Sequence, residues 1–169
     1  HGIMEASSHG LEQNRLDGLV FNTGIFTNLS QDHLDYHKNL NSYLKAKLYL
    51  FKNLIKKNGN VITDQEIPEF KKLKKITVNR NLSLHTLSNI KNNFQLLSHK
   101  FQGEAQLLQI KYKNFTHTIK LNLIGKIQLK NVLMAVIAAN KSNLSIDKIF
   151  KAVSNIKSVE GRFERIGKL

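Results

Sequence analysis

Apolar positions along the chain switch between two rhythms. Leu19 to Leu29 is rich in β-formers (Val20, Phe21, Ile25, Phe26) and predicts a strand. Leu40 to Ile55 carries apolar residues at helical spacing and predicts a long helix. Shorter pieces surround these two. Ile3-Met4 reads as the tail of a strand, and His9 to Arg15 as a short helix. Asn60 to Thr63 reads as a strand after a Lys-Asn-Gly turn. Ile67 to Leu73 reads as a helix with Pro68 near its first turn, and Lys75 to Val78 as another strand.

From Leu82 to Leu123 the rhythm becomes period two. Gln106 to Tyr112 and Phe115 to Leu123 alternate around Lys113-Asn114, which predicts an antiparallel hairpin. Two helices should follow, Gln128 to Lys141 and Ser145 to Ile156, with Ser145 as N-cap and Asp147 in the first turn. Gly161 then interrupts the pattern. Alternating strands and helices give an α/β class.

One residue breaks the helical stripe. At about 100° per residue, Leu40, Tyr43, Leu44, Leu48, Phe51, Leu54 and Ile55 share one face. Lys45, Lys52 and Lys56 lie opposite, but Lys47 falls between Leu44 and Phe51. An unpaired ammonium is costly there. Either Lys47 snorkels to the edge or pairs with a carboxylate, or its amine is neutral or modified and faces a site. Asp32-His33-Leu34-Asp35-Tyr36-His37 stands just upstream, between a strand and this helix. Ligands of open α/β sheets bind there, at the carboxyl ends of strands. His33 and His37 are read as ordinary hydrogen-bonded histidines or as ligands. Oxygen donors dominate the neighbourhood, which favours Mg²⁺ over Zn²⁺.

Composition narrows the classes. The 169 residues suffice for a core, and the absence of cysteine excludes disulfides and thiolate–metal sites. No apolar run reaches the about 20 residues that span a bilayer. With no signal peptide in view, a cytoplasmic protein without membrane contact is expected. The net charge of +14 is uneven. Residues 1 to 37 hold Glu5, Glu12, Asp17, Asp32 and Asp35 against Arg15, a balance of −4, and the remainder stands at +18. Such a body could attract nucleic acid. Its lysines are scattered, however, without interleaved aromatics, so solvated lysine faces and an anionic substrate are expected, and no nucleic acid.

The strings EASSHGLEQNR, TNLSQDHLDYH and YLKAK resemble the central domain of the Mur ligases, in the branch of the UDP-N-acetylmuramoyl-tripeptide synthetases. The likeness weakens through the basic middle and resumes at GKIQLKNVLMAVIAA and at Gly161-Arg162-Phe163-Glu164. The resemblance implies a P-loop-NTPase-like fold: a mostly parallel sheet with flanking helices plus a small antiparallel β unit. Residues 1–160 would be the distal part of the ATPase domain, and 161–169 the hinge toward a C-terminal domain. No G-x-x-x-x-G-K-[ST] occurs in the chain. The chain is therefore expected to be a fragment, inactive alone, of a monomeric protein.

The resemblance further implies ATP-dependent amide formation in peptidoglycan synthesis, hence in cell-wall biogenesis, cell shape and cell division. A diamino acid, diaminopimelate or lysine, would join UDP-N-acetylmuramoyl-L-alanyl-D-glutamate through an acyl phosphate, with Mg²⁺ as cofactor. Glu5 and His33 would hold Mg²⁺, and Lys47 would be a carbamylated lysine holding a second. Ser7, Gln13 and Arg15 would contact the UDP-muramoyl-dipeptide. Asn131 would reach the adenine, and Arg162 would stand near the nucleotide phosphates. Ser7 and Ser8 are alternatively helix caps, and Asn131 a surface residue. Ala6 for the family's usual valine, and Ile127-Gln128 for its Phe-Asn, depart from the pattern. The other readings are a related ligase of folylpolyglutamate or cyanophycin type, or a basic binding module without chemistry.

Overall fold

The computed structural model describes residues 1–29, 34–87, 94–103, 105–123 and 125–157. The chain divides into two compact units, His1–Leu84 and His85–Leu169.

The first unit runs α1 (Ser8–Glu12), β1 (Phe21–Phe26), α2 (Leu34–His37), α3 (Leu40–Tyr49), a π-helical turn (Leu50–Leu54), β2 (Ile55–Thr63) and α4 (Phe70–Asn79), and its boundary at Leu84 falls within β3 (Ser83–Thr86). The sheet order is β1-β2-β3. β1 and β2 are parallel, with Gly24 opposite Val61 and Phe26 opposite Thr63, after a register shift between Phe21 and Thr23. Leu44, Leu48 and Phe51 come from the helical stripe. They bury against Phe26, Ile55, Val61, Leu73 and Leu82 in one cluster. The Phe26 and Phe51 rings meet at 6.0 Å and 52°. Helical register is lost after Tyr49 because the backbone widens into the π turn before reversing into β2. Arg80 closes that turn, donating to the carbonyls of Lys52 at 2.6 Å, Ile55 at 3.0 Å and Phe51 at 3.4 Å. These are carbonyls that no next helical turn can satisfy.

The second unit contains β4 (Phe94–Gln102), β5 (Ala105–Tyr112) and β6 (Phe115–Leu121), then α5 (Lys126–Lys141) and α6 (Ile146–Ser154). The three strands form an antiparallel meander. Tyr112 pairs with Phe115 across Lys113-Asn114, and Lys113 takes the positive φ of 54° that a two-residue hairpin requires. Leu108, Ile110, Ile119 and Leu121 are buried. Gln106, also buried, donates from Nε2 to the Leu123 carbonyl at 2.6 Å. Among the described residues no helix is long and apolar enough to cross a membrane.

Several expected elements differ. Lys75 to Val78 is helix, not strand. The β-branched run Ile76-Thr77-Val78 suggests a strand, but burial of Leu73 and Thr77 four residues apart holds the segment helical, with Val78 71 % exposed. Pro68 precedes α4 instead of standing in its first turn. The strand expected at Asn60 starts at Ile55 and runs through Lys57-Asn58-Gly59, where Asn58 takes φ 61°. The helix expected to reach Ile55 ends at Tyr49. Ile3-Met4 is not in a strand, and Ile3 is 98 % exposed. Ser145 occupies the N-cap of α6 without a side-chain hydrogen bond. Gly161 and the expected hinge lie outside the described residues.

Two stability predictions follow from these packings. A Cβ on Gly59 would stand 2.6 Å from Ile55 Cγ2 and 2.8 Å from the Lys56 carbonyl oxygen. Since backbone cannot yield cheaply, Gly59→Ala should destabilise by about 1–3 kcal/mol in urea unfolding. In the second unit, burial and then the charge of Lys141 push the His85 imidazole down to about 4 from 6.5. The unfolded chain therefore binds more protons between those values, and stability present above 6.5 is lost as pH falls toward about 4. Urea midpoints at about pH 7 and about pH 4.5 should show this loss, reduced in His85→Gln.

Candidate functional site

The first unit holds Glu5, Ser7, Gln13, Arg15 and Lys47, and the charge of Glu5 acts on the Lys47 amine. Lys47 lies on α3, and its aliphatic stem follows the apolar stripe while the amine escapes its edge. Nζ donates to the Asn28 carbonyl at 2.7 Å. Asn28 follows Phe26, the last residue of β1, so the amine stands at the carboxyl end of a parallel strand. The Phe26 and Tyr43 rings flank Nζ at 5.3 and 5.4 Å from their centroids. The amine thus reaches the edge of the stripe, as the snorkelling reading expects. Burial pushes the Lys47 amine below the ordinary lysine value, and the charges of Glu69 and then Glu5 partly oppose that shift.

Ser7 is the N-cap of α1, and its Oγ accepts from the Gly10 N–H at 3.1 Å. Ser7 therefore takes the capping reading, which uses a lone pair and leaves the hydroxyl proton to donate. Gln13 is exposed and donates from Nε2 to Tyr36 Oη at 3.0 Å. Arg15 and Glu5 are exposed. Behind this surface lies His37, 2 % exposed. Its Nε2 lies 2.8 Å from Ser8 Oγ, and its Nδ1 lies 3.1 Å from Glu12 Oε2. Tyr43 stacks on the ring at 5.0 Å and 18°, and Tyr36 meets it edge-on at 4.9 Å. His37 is thus a hydrogen-bonded interior histidine, of the two readings its sequence left open.

Asn131 belongs to the second unit. It is half-buried on α5, off the buried row of Leu129, Val132, Leu133, Val136 and Ile137. Asp32, His33 and Arg162 lie outside the described residues.

Two acids escape sequence reasoning. Glu69 sits at the N-cap of α4 and contributes the larger charge acting on Lys47. One of its carboxylate oxygens is buried without a hydrogen bond. Nothing in its surroundings in sequence marks it. Asp64 follows β2 directly, is 2 % exposed, and accepts from the Glu66 N–H at 2.9 Å. An acid directly after the strand segment Val61-Ile62-Thr63 was a signal for it. The described residues contain no group of three or more His, Asp or Glu side chains able to hold a metal. Glu5 offers one hard oxygen donor, and a carbamate on Lys47 would offer another. That set suits Mg²⁺, which keeps several waters and takes one or two carboxylates.

Comparison with known proteins gives a consistent picture. The family model described as Mur ligase middle domain matches residues 1–139. The UDP-N-acetylmuramoyl-L-alanyl-D-glutamate–2,6-diaminopimelate ligase of Rickettsia montanensis is 34 % identical over 164 residues, 97 % of this chain and 34 % of that protein. The ligase of the same name from Fusobacterium nucleatum subsp. nucleatum is 36 % identical over 167 residues, 97 % of this chain and 33 % of that one. The chain thus spans about a third of the length of the curated relatives it matches. A solved diaminopimelate ligase of that name superposes with TM-score 0.80 at 24 % identity, over 96 % of this chain and 34 % of that one. A MurF ligase from Thermotoga maritima in complex with ADP gives TM-score 0.73 at 16 % identity, over 96 % and 36 %. At these identities the solved structures speak to fold alone.

The depressed Lys47 amine has a measurable consequence. Its folded value lies below the unfolded 10.5, so the unfolded chain binds more protons in the window between them. Stability should rise with pH through that window as the ammonium discharges. Urea midpoints across it should show the rise, and Lys47→Met should remove it.

Proposed function

The chain belongs to the Mur ligase family, and on that premise we propose that it forms part of an ATP-dependent ligase joining a diamino acid to UDP-N-acetylmuramoyl-L-alanyl-D-glutamate. Diaminopimelate, named in the relatives, is the proposed amino acid. The observation that carries the reading is Lys47: a desolvated amine at the carboxyl end of β1, held by the Asn28 carbonyl. It stands in the part of the chain that holds the family's strings.

The proposed chemistry is the one that membership of the family implies. A D-glutamyl γ-carboxylate oxygen attacks the γ-phosphorus of ATP, the bond to ADP breaks, and an acyl phosphate forms. The amine of the diamino acid then attacks the acyl carbon, inorganic phosphate leaves, and the nitrogen loses a proton to solvent. Negative charge accumulates throughout, so catalysis rests on positioning and charge neutralisation. Mg²⁺, when bound, would supply that neutralisation. Glu5 would hold it, with His33 as the further expected ligand. The free-amine form of Lys47, favoured by burial, would add CO₂ and release a proton, becoming a carbamate. This exchanges a cation that is costly at that depth for an anion able to hold a metal. Ser7, through its remaining hydroxyl proton, with Gln13 and Arg15, would take the muramoyl-peptide. Asn131 and Arg162 are the proposed nucleotide contacts. The ligase is proposed to act in the cytoplasm as a monomer.

The test is turnover of a full-length ligase carrying these residues. Lys47→Ala should lower ligation by about a thousandfold, the scale seen when a charge-stabilising group is lost. Lys47→Arg should do no better, because a guanidinium cannot form the carbamate. Unchanged turnover in either variant would overturn the carbamate role. The 169 residues alone should show no ATP-dependent ligation.

A further inference from the structure

Ser8, His37 and Glu12 form a relay whose distances resemble those of a nucleophilic triad, 2.8 Å and 3.1 Å on the two sides of the imidazole. Burial decides against a nucleophile. Ser8 is 6 % exposed and opens α1 from beneath, and His37 is walled by Tyr43 and Tyr36. No substrate carbonyl could reach Ser8 Oγ, whereas a nucleophile elbow exposes its serine. The relay must act on the chain itself.

Its connections show what it would act on. His37 ends α2, and the Asn39 N–H donates back to its carbonyl at 2.7 Å. Asn39 in turn caps α3, its Oδ1 accepting from the Ser42 N–H at 2.9 Å. The helix that carries Lys47 therefore starts from the backbone of His37. On the other side, Ser8 adjoins Ser7 and lies three residues after Glu5. One imidazole links the segment bearing Glu5 and Ser7 to the helix bearing Lys47.

The tautomer follows from the neighbours. Glu12 as a carboxylate can only accept, which favours a proton on Nδ1; a ring with that single proton accepts the Ser8 hydroxyl at Nε2. The Nδ1–Glu12 contact is not aligned as a hydrogen bond in this conformation, but the Glu12 side chain is 44 % exposed and free to turn into line.

We propose that His37 is a positioning residue: as the Nδ1–H tautomer it accepts the Ser8 hydroxyl and so holds the Ser7 turn in register with α3. The proposal rests on the ligase reading above for its kinetic consequence, though not for the hydrogen bond itself.

Three substitutions separate the roles of the ring in the full-length ligase. His37→Phe keeps the stacking and removes both nitrogens. His37→Asn places an amide near Nδ1 only. His37→Gln places a carbonyl where Nε2 stands. His37→Phe, His37→Asn and Ser8→Ala should each raise KM for the UDP-muramoyl-dipeptide about tenfold, with KM for ATP within about twofold. His37→Gln should restore KM to within about threefold of wild type. The Ser8→Ala/His37→Phe double variant should be no worse than either single one. A merely structural histidine would lower the melting temperature in all three His37 variants without this KM pattern, and that result would overturn the proposal. Independently of activity, nitrogen-15 correlation spectra of the imidazole should show the Nδ1–H tautomer. An Nε2–H tautomer would overturn the hydrogen bond as assigned. Absence of ligation by the wild-type enzyme would instead refute the ligase reading, leaving the tautomer measurement to decide the positioning bond.

Discussion

Phe51 packed into the notch above Gly24 is the contact on which the first unit depends. A Cβ at Gly24 would stand 2.8 Å from Ile55 Cδ1 and 2.9 Å from Phe51 Cε1, so the helix–strand approach needs a bare backbone there. That close approach seats the α3 stripe on β1 and brings Phe51 to Phe26. Since Lys47 is one helical turn before Phe51, the same seating places its amine at the carboxyl end of β1. Core packing and the candidate chemistry are therefore one arrangement rather than two.

Desolvation then defines what Lys47 can be. A surface lysine keeps its proton and its hydration. Here the stem is buried, the amine has one carbonyl partner, and two aromatic faces replace part of its water. Glu69 and Glu5 favour the ammonium, but burial outweighs them. The balance leaves more of the free amine than an exposed lysine would have, and only a free amine can add CO₂. Around this centre the fold spends its short helices on alignment. Ser7 caps α1, Asn39 caps α3, and His37 sits where the two segments meet.

Much of this was legible in the residues. The meander, the Lys113-Asn114 hairpin and α5 come from local rules, since period-two and period-3.6 patterns bury one face each. The anomaly of Lys47 was legible for the same reason. Other features were not. Ile76-Thr77-Val78 suggests strand by propensity, yet the burial of Leu73 overrides it. The π turn depends on Arg80 reaching back to carbonyls 25 to 29 positions earlier, which no local window contains. Glu69 looked like an ordinary surface acid.

The sequence by itself determined membership of the Mur ligase family and the α/β class. It also determined that a lysine would face an apolar stripe beside a cluster of acids and histidines. These are properties of residue order and periodicity, which survive in an unfolded chain. Only the tertiary structure decided that the Lys47 amine meets the Asn28 carbonyl, that Glu69 is the acid acting most on it, and that His37 Nε2 meets Ser8 Oγ. Each of those joins elements far apart in sequence, and burial sets its strength, so it exists only once the core has closed.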